Sequence, residues 1–309
     1  YSGSYLMDFQ PDHKGNIWYA GGMGLQYFDA RTKSFTDLGR RNNFPSPLYL
    51  NFGFSKILID RNNTVWVGTY YGGLYWINKK ASQFKLIKKD ITTPSGYPGG
   101  RTWEFSDNMD GSYWIANKNG FYHWFPENDS FVLLDIDPSA DKIEGFSILL
   151  DSKGRLWCGS SSTGLYRYDP ATKKTVHYVF DSKDSSSLSH NVIGNIFEDS
   201  RGRIWIGTLG GGLCLWRPET NDFKRYPYIL NDGNTSNNGA LDDANGILIY
   251  EDKKGTIWIG TNNGGLNSLD ESTGRFTSYL NQPPGFYSVM SSLSTYSVNY
   301  YVGTVMDCL

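Results

Sequence analysis

One short segment recurs six times along this chain, and nothing else in the sequence constrains the fold as strongly. Its tryptophans are Trp18, Trp66, Trp114, Trp157, Trp205 and Trp258, at separations of 48, 48, 43, 48 and 53 residues. Six residues before each stands Asp12, Asp60, Asn108, Asp151, Asp199 or Asp252. Three residues before it stands Gly15, Asn63, Gly111, Gly154, Gly202 or Gly255. Nine residues before it the position is always apolar: Phe9, Ile57, Phe105, Ile148, Ile196, Ile249. A unit of this length cannot bury its own apolar faces, so it must stack on its neighbours.

The spacing predicts how each unit is built. The apolar run before the Asp is one strand and the run through Trp is the next. The Asp carboxylate between them can accept from N–H groups ahead of it, and Gly or Asn takes the positive φ of a hairpin turn. A loop ending in Gly-Leu or Gly-Phe leads to a third strand. A polar turn such as Pro170-Ala171-Thr172 or Glu271-Ser272-Thr273 leads to a short fourth. Four strands in some 48 residues make one propeller blade. Strands that are aromatic all round suit blades covered on both faces better than a sandwich with one wet face.

The expected fold is therefore all-β, a single β-propeller over residues 1–309. Seven blades are preferred and six are the alternative. The seventh repeat is weak: Tyr301-Val302-Gly303-Thr304 overlays Trp66-Val67-Gly68-Thr69, but Thr295 and Val298 replace the turn Asp and Gly. Residues 283–309 read as a degraded blade that stops before its outer strands, or as a tail that is not native blade sequence.

Composition narrows the function. Aromatics at 16% and 35 glycines suit pleated strands joined by tight turns. A net charge of −2 gives no bulk drive towards nucleic acid or anionic membrane. No apolar run approaches the ~20 residues that span a bilayer. Tyr1-Ser2-Gly3-Ser4 lacks the basic and apolar regions of a signal peptide. Cys158, Cys214 and Cys308 form neither a C-x-x-C pair nor a Cys/His cluster, so no metal or other cofactor is expected.

The motif D-x-x-G-x-[ILV]-W-[IV]-G-T-x-x-G-G-L, nearly complete in Asp199–Leu213 and Asp252–Leu266, resembles the two-component regulator propeller repeat. The likeness covers roughly residues 5–282. It implies the periplasmic sensor region of a Bacteroidetes hybrid two-component histidine kinase. In such receptors two propellers precede an Ig-like domain, a membrane helix, a kinase and a response regulator. The resemblance also implies a homodimeric parent receptor, held in the membrane by parts outside this sequence, that responds to oligosaccharides from polysaccharide breakdown. Streptogramin lyases, which repeat G-x-[IL]-W-F, are the best enzyme comparison. A glycan-active lyase and a protein-interaction scaffold are two further readings of the same fold.

Catalytic chemistry has little to stand on. Of four histidines, His13 lies in a turn and His123 and His177 in outer strands. His190, in the long connection from Asp181 to Asn191, could face a channel entrance. The recurrent Asp residues are explained by their turns, and no G-x-S-x-G, P-loop or H-E-x-x-H occurs. No catalytic residue is expected. Binding is favoured instead, on loops opposite the Asp turns. Tyr70, Tyr71, Arg101, Trp103, Asn119, His190, Asn262 and Asn263 are the candidates, because amides, Arg forks and aromatic rings recognise sugar hydroxyls and sugar faces.

Overall fold

The structure is a computed structural model. It describes residues 6–21, 24–38, 54–60, 63–69, 74–78, 83–87, 89–90, 92–140, 143–226, 228, 246–261 and 265–279. The chain divides into two compact units, Tyr1–Leu134 and Asp135–Leu309. Each holds three four-stranded antiparallel blades.

In the first unit, blade 1 runs β1 (Leu6–Pro11), β2 (Ile17–Gly21), β3 (Gly24–Asp29), β4 (Ser34–Asp37). Blade 2 runs β5 (Phe54–Ile59), β6 (Val65–Thr69), β7 (Leu74–Asn78), β8 (Gln83–Ile87). Blade 3 runs β9 (Thr102–Asp107), β10 (Tyr113–Asn117), β11 (Gly120–Phe125), β12 (Ser130–Leu133). In the second unit, blade 4 runs β13 (Gly145–Leu150), β14 (Leu156–Ser160), β15 (Leu165–Asp169), β16 (Lys174–Tyr178). Blade 5 runs β17 (Ile193–Glu198), β18 (Ile204–Thr208), β19 (Gly212–Arg217), β20 (Asp222–Tyr226). Blade 6 runs β21 (Gly246–Glu251), β22 (Ile257–Thr261), β23 (Gly265–Asp270), β24 (Arg275–Ser278). Strand order follows the chain in every blade. The described residues thus form six blades, not the preferred seven. The repeat expected at Tyr301 lies outside them, as does all of 283–309.

The Asp-to-Trp spacing has a direct cause in the turn. In blade 5, Oδ1 of Asp199 accepts from the backbone N–H of Arg201 and of Arg203, both at 3.0 Å. Oδ2 accepts from Nε1 of Trp205 at 2.9 Å. Asp60, Asp151 and Asp252 likewise receive the indole N–H six residues on. A carboxylate in the turn and an indole two residues into the next strand therefore lock each other.

The core lies between successive blades of one unit. Blade 2 packs on blade 3 through Trp66, Leu74, Phe105, Ile115, Trp124 and Phe131. Blade 4 packs on blade 5 through Trp157, Leu165, Ile193, Ile196, Ile206 and Trp216. The small residue after the Trp pair belongs to this contact: a Cβ at Gly159 would stand 2.6 Å from Cγ2 of Ile193. Thr and Ser at the end of the second strand close the following loop, Ser160 and Thr208 donating to the carbonyls of Gly164 and Gly212 at 2.9 and 3.0 Å.

One irregularity repeats in all six blades. The register of the first strand against the second shifts at Met7, Ser55, Trp103, Phe146, Gly194 and Ile247. A bulge there sets an extra first-strand residue against the second strand and increases the local twist.

Candidate ligand-binding site

Four of the eight candidates are described: Arg101, Trp103 and Asn119 in the first unit and His190 in the second. Tyr70, Tyr71, Asn262 and Asn263 lie outside the described residues. The first three gather at one end of blade 3, because β9 begins where β10 ends, with Thr102 paired to Asn117. The Asn108 turn is at the other end.

That end is built from the connection into the blade and the loop after β10. Tyr97, buried, donates its hydroxyl to the carbonyl of Gly100 at 3.1 Å and meets Oγ1 of Thr102 at 3.1 Å. Burial pushes its phenol up to about 12, against hydrogen bonds from Thr102 and Asn117 that pull the other way, so it stays a neutral fastener. Asn119 donates Nδ2 to the carbonyls of Gly99 at 2.9 Å and Pro98 at 3.3 Å, and its own N–H goes to Oδ1 of Asn117 at 2.8 Å. Gly99 and Gly100 both have positive φ, and a Cβ at Gly100 would fall 2.9 Å from Nδ2 of Asn119. Asn119 therefore shapes the loop. Lys118 ties the two segments together by donating its N–H to the carbonyl of Arg101 at 2.9 Å.

On this base the guanidinium of Arg101 lies over the indole of Trp103, its Cζ 3.4 Å from the ring centroid. Trp103 is the bulge residue of blade 3, and the register shift turns it out of the ladder alternation. Both side chains are half-buried. A planar cation on an aromatic ring is a recognition platform.

Beside it on the first strands runs a line of charge that sequence reasoning missed. The Lys56 ammonium stands 3.9 Å from Asp8 and 3.4 Å from Glu104, one group from each blade of the unit. Burial alone would lower the Lys56 pKa, but the two carboxylates outweigh it and raise it. All three lie ten residues before their Trp, which was the available signal.

In the second unit, His190 accepts at Nδ1 from the N–H of Val192 at 3.1 Å, which places its proton on Nε2. Its ring lies against Gly210, where a Cβ would meet Nε2 at 3.2 Å. The connection carrying it is held by Arg225, whose Nη2 donates to the carbonyls of Asp184 and Leu188 at 2.8 and 2.7 Å and to Oγ of Ser187 at 2.5 Å. His190 thus serves its loop, as Asn119 does. Among the described residues no three His, Cys, Asp or Glu side chains gather to hold a metal. Nor is any helix there long and apolar enough to cross a membrane.

Solved structures with the same architecture include receptor domains and an enzyme. The extracellular domain of BT3049 from B. thetaiotaomicron, described as a hybrid two component system, superposes with a TM-score of 0.70 at 20% identity. The match covers 90% of this chain and 35% of that one. The extracellular domain of BT4673 from the same organism gives 0.54 at 22%, covering 89% and 41%. Virginiamycin B lyase from Staphylococcus aureus gives 0.66 at 12%, covering 90% and 85%. These likenesses show the β-propeller fold. The chain spans little more than a third of the BT3049 domain. No curated protein matches it. Residues 187–210 and 241–263 match the model of the two component regulator propeller, and each match covers the strand-to-strand approach to a repeat Trp. The chain is therefore a β-propeller, two segments of which, 187–210 and 241–263, match the two component regulator propeller model.

Proposed function

We propose that this chain is the ligand-sensing propeller of an extracytoplasmic receptor in a hybrid two component system, and that it binds oligosaccharides without turning them over. The observation that carries this reading is the Arg101–Trp103 platform, set on a bulge and fixed from beneath by Tyr97, Asn117 and Asn119. A guanidinium seated on an indole, beside a loop held by its own hydrogen bonds, suits the hydroxyl rim of a sugar. The repeat match and the two extracellular domains from B. thetaiotaomicron support the receptor context and an extracytoplasmic location, which we take to be the periplasm. His190, with one nitrogen accepting from Val192 and the other against Gly210, is poorly placed as a general base. The parent receptor is proposed to be a homodimer.

Thermal-shift and calorimetric titration of this chain against an oligosaccharide panel, with chromatography of each mixture, tests the reading. Binding with the glycan recovered intact supports it. Product formation would make the chain a lyase or another glycan-active enzyme. Failure to bind any glycan would leave a protein-interaction scaffold.

A further inference from the structure

The charge around the platform narrows the ligand class. Three cations surround the loops that carry it. Arg101 lies on Trp103. Lys89 and Lys118 are exposed, and both stems border the glycine pair of the connection. A Cβ at Gly99 would fall 2.6 Å from Cδ of Lys89, and one at Gly100 would fall 3.5 Å from Cβ of Lys118. The two glycines are therefore the floor over which the lysine stems pass. The carboxylate of the neighbouring Asp90 is turned into its own loop, accepting from the N–H and hydroxyl of Thr92 at 2.8 and 2.6 Å and from the Thr93 hydroxyl at 3.1 Å. Glu104 pairs with Lys56 at 3.4 Å.

The six bulges show why this blade, of those in its unit, presents such a group. At the register shift the ladder skips one first-strand residue, between Phe54 and Lys56 in blade 2 and between Thr102 and Glu104 in blade 3. The chain accordingly places Met7, Ser55, Trp103, Phe146, Gly194 and Ile247 at that one register, residues with no chemistry in common. In blade 3 the skipped position holds a tryptophan, and the Arg101 guanidinium lies over its ring.

We propose that this end of blade 3 recognises an acid-bearing sugar, a uronate or a sulfated residue, whose anionic group meets Arg101 while Lys89 and Lys118 supply the surrounding field. This rests on the oligosaccharide reading above. A planar guanidinium held on an indole matches the two oxygens of a carboxylate or sulfate, and the fixed loop spares the ordering cost of binding.

The test titrates the chain with three tetrasaccharides: an oligogalacturonate, a heparin-derived sulfated fragment and neutral cellotetraose. Sodium sulfate at matched ionic strength is the control for a bare anion. One or both acidic glycans should bind at least tenfold more tightly than cellotetraose, and the affinity should fall with added salt. Arg101→Gln should abolish that preference. Lys118→Gln, at an exposed site, should weaken acidic binding several-fold with the melting temperature unchanged. Cellotetraose binding as tightly as the acidic fragments, or an acid preference untouched in both variants, would overturn the proposal and leave the oligosaccharide reading standing. Failure of every glycan to bind would overturn both. Sulfate competing as well as the glycans would reduce the site to an anion patch and overturn the sugar-specific claim.

Discussion

The indole N–H of Trp205 donates to Oδ2 of Asp199 at 2.9 Å, joining the most buried ring of blade 5 to the turn that precedes it. The same carboxylate takes two backbone N–H groups on Oδ1 and Nε of Arg203 on Oδ2 at 2.6 Å. Asparagine offers one acceptor oxygen and would aim its amide at donors. Blade 3 shows what such a turn then requires: Asn108 accepts from Trp114, but the N–H of Ser112 goes to Asp110 instead. Asp199→Asn should therefore lose about 1.5–3 kcal/mol, the scale of hydrogen bonds to a charged group. Urea unfolding followed by tryptophan fluorescence measures this. A loss of only a few tenths would mean that the turn tolerates a single acceptor.

Asp199 also carries a pH signature. Burial pushes its carboxyl up, yet the bonds from Trp205 and Arg203 and the Arg203 charge outweigh it, so its pKa is lowered. A carboxylate with a lowered folded pKa stabilises above its unfolded value, and that stability is lost as pH falls through the folded one. Asp252 is lowered in the same way, with Trp258 and Thr256 as its partners. Acid melting should therefore begin below about pH 4, the ordinary Asp range, and Asp199→Asn should flatten that limb.

The repeat was legible because its cause is local. Asp, Gly and Trp act within seven residues of one another, so one sequence displays the whole device. Gly159 was visible as a small residue, but its reason, Ile193 of the next blade, lies 34 positions away in the chain. The candidate site was legible in part for the same reason. Arg101 and Trp103 stood out as residue types, whereas the duties of Asn119 and His190 depend on carbonyls and backbone N–H groups that carry no mark in the sequence. The Asp8–Lys56–Glu104 line needed three repeats read in one register.

That line gives the next prediction. Asp8 is buried and also accepts from the N–H of Ile57 at 2.8 Å, while Lys56 and Glu104 keep about a fifth of their side chains in water. Removing Lys56 takes away the ammonium that both carboxylates share. Lys56→Met should cost on the order of 3 kcal/mol, the lower end for a broken buried pair because water still reaches two of the three groups. Adding Glu104→Gln to Lys56→Met should recover part of that loss. A double variant no more stable than Lys56→Met would show that the charge is not what the lysine contributes.

Arg225 makes a different kind of prediction. One guanidinium gathers the carbonyls of Asp181, Asp184, Ser187 and Leu188, and so joins four points of the connection between blades 4 and 5. Lysine has the charge but not the fork. Arg225→Lys and Arg225→Ala should both speed amide exchange across residues 181–190 while leaving β18 and β19 protected. Unchanged exchange in the lysine variant would mean that charge alone orders the loop.

His123 joins the blade 3 turn to its third strand, and it makes stability depend on pH near neutrality. Its ring stacks on Trp114 with centroids 3.8 Å apart and lies 4.1 Å from Phe125. The Ser112 hydroxyl donates to Oδ1 of Asp110 at 2.6 Å and accepts from Nδ2 of Asn108 at 3.0 Å, so the 2.6 Å contact with His123 is the donation of its Nε2–H. A neutral imidazole satisfies this arrangement. Burial lowers the His123 pKa, and the Asp110 charge opposes that without cancelling it. The folded pKa therefore lies below the unfolded value of about 6.5. Between the two, the unfolded chain binds the extra proton, so the His123 contribution is whole above about pH 6.5 and is lost as pH falls through the folded pKa. Melting temperatures from pH 7.5 down to 5 should fall more steeply for the native chain than for His123→Gln, whose amide can still donate to Ser112. Parallel curves would show that the imidazole stays neutral in both states or gains its proton at no cost to the fold. The asparagine at position 108 would then have to be explained by the turn alone.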